Sequence, residues 1–89
     1  EIAYQVQKNW VFSELMSSGR TDLEAILGFK IRPNGEISDI WFDQRSGNTY
    51  LDESAYRAIV KSNPLPPLPA GLFAGDYTVG IRFGPKGIK

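Results

Sequence analysis

Asp52 and Glu53 stand side by side in TYLDESAY, and Asp39 and Asp43 lie close together in SDIWFD. These acids are the residues whose types and spacing could do chemistry. Two carboxylates can share acid–base work, and clustered acids can hold a divalent cation. Neither reading goes far. Adjacent helical residues do not face each other, and acids at a helix start are explained by the positive end of its dipole. Asp39 and Asp43 lack companion oxygen ligands at a metal-binding spacing and read as solvated charges. The chain has no histidine and no cysteine. The commonest general base, the commonest metal ligand and the thiolate nucleophile are therefore all missing. The expectation is a protein that is no enzyme, takes no cofactor, and works through a surface.

Eighty-nine residues are expected to form one domain over residues 1–89. A chain of this size buries about 60–65% of its extended surface, so its core is small. Ten basic residues balance ten acidic ones, which argues against a nucleic-acid partner, whose affinity comes largely from neutralising phosphates. No apolar run approaches the ~20 residues that cross a bilayer. The first residues carry charge and glutamines where a secretory leader has an apolar centre, so none is expected there. The start at Glu1 and not methionine leads to the expectation of a processed product or a piece excised from a longer chain.

The elements that must carry such a surface follow from periodicity. Ile2, Val6 and Trp10 recur at helical spacing and predict a short helix over residues 2–12. Ser17 to Asp22 is a loop by composition. Ala25, Leu27, Phe29 and Ile31 alternate on one face of a strand over residues 24–32. Pro33-Asn34-Gly35-Glu36 turns the chain, and Asn-Gly suits a tight hairpin. A second strand returns over residues 36–43, with Ile37, Asp39 and Trp41 on one side and Ile40 and Phe42 on the other. It is less cleanly one-sided, and a bulged strand is expected. Thr49 is expected to cap the next helix, with Asp52 completing a capping box. Leu51, Ala55, Ala58, Ile59 and Ser62 form a narrow stripe of mostly small residues that lets the helix sit close to a sheet. Pro64 stops it at about Ser62. The run Pro64-Leu65-Pro66-Pro67-Leu68-Pro69 reads as a rigid connector and not as a docking ligand. Trp10 is expected in the core and Trp41 partly exposed.

A third strand completes the pattern. Tyr77, Val79, Ile81 and Phe83 face one way; Thr78, Gly80 and Arg82 face the other. The tail from Gly84 to Lys89 is expected to be loose. The hairpin makes strands one and two antiparallel neighbours, and the helix and connector return the chain so that strand three pairs with strand one. The expected fold is α+β: a small three-stranded antiparallel sheet in the order 2-1-3, with two helices on one face. Strand three then lies at a rim with unpaired main-chain groups that can template another strand. The candidate partner-binding residues are Tyr77, Thr78, Val79, Gly80, Ile81, Arg82 and Phe83.

The segments SGNTYLD, ESAYRAIVKS, PLPPLP and YTVGIRF, with QKNW and FKIRPNGEIS before them, resemble the C-terminal domains of TonB and TolA energy transducers. The resemblance covers nearly the whole chain. It departs where TonB domains commonly carry Tyr-Pro after the helix: Asn63-Pro64 stands here, followed by a proline run more like TolA-type members. What the resemblance implies is a periplasmic domain at the end of a protein tethered to the inner membrane. A proton-motive-force motor complex would act on the N-terminal part of that protein. The implied partner is an outer-membrane receptor segment that adds a strand at residues 77–83. A TolA-like envelope-integrity domain gripping another envelope protein is the alternative. So is a self-associating module, a homodimer formed by strand exchange.

Overall fold

The computed structural model describes residues 2–10, 12, 22–66, 75–85 and 87–88. Within them the chain runs α1 (Ile2–Asn9), β1 (Ala25–Ile31), β2 (Ile37–Gln44), α2 (Thr49–Lys61), β3 (Tyr77–Gly84) and β4 (Gly87–Ile88). The fold is α+β. Its three long strands are antiparallel in the order β2-β1-β3, and the two-residue β4 extends the sheet beyond β3.

One layer of apolar side chains joins sheet and helices. Ala25, Leu27, Phe29 and Ile31 of β1 and Phe83 of β3 are fully buried, and Ile81 nearly so. They meet Leu51, Ala55, Ala58 and Ile59 of α2 and Val6 of α1. Burying a Leu or Ile side chain contributes about 1.5–3 kcal/mol, so the small-residue stripe of α2 derives most of its hold from Leu51 and Ile59. Leu23, which the strand pattern left out, is also buried.

The helix ends differ from expectation. α1 stops at Asn9, before the expected residue 12. Its last turn is tied down by side chains: Asn9 Nδ2 donates to Gln5 O at 3.0 Å and to Ser62 Oγ at 3.1 Å. Trp10, just past the helix, donates its indole N–H to Ser54 Oγ at 2.8 Å and meets Phe83 edge-on at 5.2 Å. It pins α1 against the core. For α2 the cap is Asn48 and not Thr49, because Asn48 Oδ1 accepts from Leu51 N at 3.0 Å. Asp52 is buried and accepts from Ser46 N at 3.0 Å and Ser46 Oγ at 2.8 Å. It closes the Ser46-Gly47-Asn48 loop onto the helix.

β2 is bulged twice. Its pairing with β1 skips Asp43 between Phe42 and Gln44, and Asp39 between Ser38 and Ile40. Asp39 takes φ 52°, the left-handed region. The extra residue corrects the expected side assignment. Ile37 does not share a side with Trp41; it pairs with Ile31 and is buried, as Ile40 and Phe42 pair with Phe29 and Leu27 on the helix side. Trp41 lies on the open face, opposite Gly28, as Ser38 lies opposite Lys30.

The start of the proline run docks onto the β1–β2 turn. Leu65 N donates to Gly35 O at 2.7 Å, and Ile37 N donates to Asn63 Oδ1 at 3.0 Å. The Asn63–Pro64 peptide is cis. Pro67, Leu68 and Pro69 lie outside the described residues, as does most of the expected loop at Ser17 to Asp22. The tail is not loose throughout: Gly84 continues β3, and Gly87–Ile88 pairs with it.

Candidate strand-docking edge

β3 pairs with β1 without a shift from Ala25↔Phe83 to Ile31↔Tyr77. Alternate side chains therefore leave the sheet on opposite faces. On the helix face Tyr77 is 38% exposed, Val79 is half-buried, and Ile81 and Phe83 are buried. On the other face Thr78, Gly80 and Arg82 are all exposed.

The main-chain groups alternate too, sideways in the plane of the sheet. Arg32 N donates to Glu36 O at 2.8 Å, so Arg32, one step past β1, turns toward β2. Counting back, Lys30, Gly28 and Ile26 also turn toward β2, and Ile31, Phe29, Leu27 and Ala25 turn toward β3. Their partners Tyr77, Val79, Ile81 and Phe83 take up the inner bonds. Thr78, Gly80 and Arg82 turn their N–H and C=O groups outward. The far end of β3 agrees. Gly84 and Gly87 pair across a two-residue connection, and a pair closing such a turn exchanges its main-chain bonds. Gly84 thus faces outward, in phase with Arg82 and Gly80.

β4 occupies only the end of this edge, pairing Ile88 with Phe83 and Gly87 with Gly84. The Phe83 end of the candidate stretch is therefore flanked on both sides. Among the described residues no strand lies outside residues 77–82. The opposite rim is different. β2 carries its two bulges there, each at an acid, and bulges and charges are what blunt an edge against pairing. From Tyr77 to Phe83 the pairing with β1 is unbroken, and Arg82 is the one charged residue of β3.

The acids singled out by type find structural partners. Asp39 lies 3.9 Å from Lys30 Nζ, and Asp43 Oδ1 accepts from the Trp41 indole at 2.9 Å. Glu53 pairs with Arg57 at 3.8 Å while Asp52 turns inward to Ser46, so the two adjacent carboxylates point apart. On the helical layer, Asn9, Phe12, Tyr50, Glu53, Ser54, Arg57 and Lys61 line an open depression of about 340 Å³. Its one carboxylate, Glu53, is the one paired with Arg57. Periodicity located the exposed strand; what it could not give was the sideways direction of each amide, which follows from the register.

The family model described as TonB C terminal matches residues 1–83. No curated protein and no solved structure matches the chain. The matched span reaches from α1 to Phe83 and so takes in both helices, the hairpin and nearly all of the third strand. With its order of elements and this match, the chain belongs to the TonB C-terminal domain family, the protein-interaction domains of energy transducers.

Proposed function

We propose that this domain is the periplasmic, partner-gripping end of a transducer anchored in the inner membrane, and that it takes an extended segment of an outer-membrane receptor as an added strand along residues 77–82. The observation that carries the reading is the outward row of main-chain groups at Thr78, Gly80 and Arg82 on an unbulged strand. In strand addition, main-chain hydrogen bonds supply affinity and alternate side chains supply selectivity. A strand held this way transmits a pull through several bonds at once, which suits a force-coupling role. An amide-shift titration with peptides from the periplasm-facing segments of outer-membrane receptors tests it. Shifts should gather on Thr78, Gly80 and Arg82. Shifts gathering on β2 or on the helices instead would remove the proposed edge.

Self-association is the second reading, favoured by the short reach of β4, which pairs with Phe83 and Gly84, while among the described residues no strand covers the rest of the rim. Sedimentation over a concentration series separates the two. A dimer that peptide dissociates would place both occupants on one edge; a strict monomer would leave the receptor segment alone there.

A further inference from the structure

Gly28 and Gly80 face each other across β1 and β3, and Gly28 faces Trp41 across β1 and β2. The three residues form one row over the open face of the sheet, the face away from the helices. The row is filled at one end. A Cβ at Gly28 would come within 2.5 Å of Trp41 Cε2 and 2.6 Å of Cζ2, so the indole lies flat across that glycine. The indole is held there by its N–H bond to Asp43. At the other end, among the described residues, nothing lies within 4 Å of a Cβ at Gly80. A slot therefore stands open on the sheet above Gly80, with the indole as its inner wall and Thr78 and Arg82 along its sides.

Resting on the strand-addition reading above, we infer that this slot selects the partner's side chain: the residue of the added strand that lies opposite Gly80 carries an aromatic ring. Such a residue points to the same face as Gly80, because directly paired residues share a face. It stands two strand spacings from Gly28, about 9.6 Å. The indole spans part of that distance, and a ring leaning across Gly80 spans the rest. An alanine in the partner leaves the strip bare, and glycine sites in sheets are the places where a cross-strand ring covers exposed backbone. Arg82 stands two residues along on the same face and is exposed, so its guanidinium is available as a cation for one side of the ring.

The probes are four blocked threonine heptapeptides carrying Ala, Leu, Phe or Tyr at the centre, titrated into the protein while the main-chain amides and the Trp41 indole N–H are followed. The Phe and Tyr peptides should bind about five- to tenfold more tightly than the Ala peptide, and they alone should shift the indole signal. Gly80→Val fills the slot in a residue type that strands favour and should abolish the preference, so that the Phe and Tyr peptides lose their advantage over the Ala peptide. Equal affinities with shifts at Thr78, Gly80 and Arg82 would overturn the slot and leave strand addition standing. A ring preference that survives Gly80→Val would overturn it as well. No shift at those three amides with any peptide would overturn strand addition and the slot with it.

Discussion

The side-chain amide of Asn63 stands in for a strand at the start of β2: Ile37 N donates to Asn63 Oδ1 at 3.0 Å. The bond spans the gap between the end of α2 and the hairpin. It holds the chain where Leu65 can bond Gly35, so the helix, the turn and the entry to the connector form one unit. Asn63→Ala leaves the partly buried Ile37 amide without this partner and should cost about 1–2 kcal/mol. A urea titration followed by Trp fluorescence reads this as a lowered midpoint at unchanged slope. Binding along residues 77–82 should be retained in the folded protein, since Asn63 touches the opposite end of the sheet order.

Gly35 and Gly47 both adopt positive φ, 92° and 89°. They differ in what surrounds them. A Cβ at Gly35 would collide with the Leu65 carbonyl oxygen, whereas nothing lies within 4 Å of one at Gly47. Gly47→Ala should therefore cost only the left-handed conformation, about 1–2 kcal/mol. Gly35→Ala adds the displacement of Leu65 and should cost clearly more. Thermal unfolding of the two variants side by side checks the order; equal losses would mean that Leu65 moves aside freely.

Proline along β3 reports which way each amide faces. Gly80→Pro removes an outward N–H, which a rim strand tolerates, so the fold should persist while peptide binding is lost. Ile81→Pro removes an inward N–H bonded to β1 and should destabilise the fold clearly more than Gly80→Pro does. Circular dichroism melting, with peptide titration of whichever variant folds, distinguishes them. Reversed behaviour of the two would show the opposite phase of the strand.

Ser46→Ala removes the hydroxyl that donates to buried Asp52 and leaves its Oδ1 with the Ser46 main-chain N–H. The loss should be about 1–2 kcal/mol. Asn48→Ala removes the cap bond to Leu51 and should cost about 1 kcal/mol. The two groups share one loop, so the double variant should depart from the sum. Full additivity in a double-mutant cycle would show that the loop and the helix start are held separately.

Much of this architecture is written in local spacing. Leu27, Phe29 and Ile31 at every second position, Leu51, Ala55, Ala58 and Ile59 at helical spacing, and Asn34-Gly35 between them give the elements, the antiparallel hairpin and the order 2-1-3. A period of two or of 3.6 reports which face a side chain takes, and faces are what a one-layer sheet under two helices needs. The tertiary structure decided what depends on a distant partner. The extra residue at Asp39 moves Ile37 to the helix side, and that shift exists only in the register with β1. The capping role passes to Asn48, Asn63 closes onto Ile37, and two residues of the tail pair with β3, each through a bond to another segment. The outward phase of Thr78, Gly80 and Arg82 is of the same kind. Their residue types are neutral about it, because a main-chain amide turns toward whichever neighbour the hairpin and sheet register leave for it.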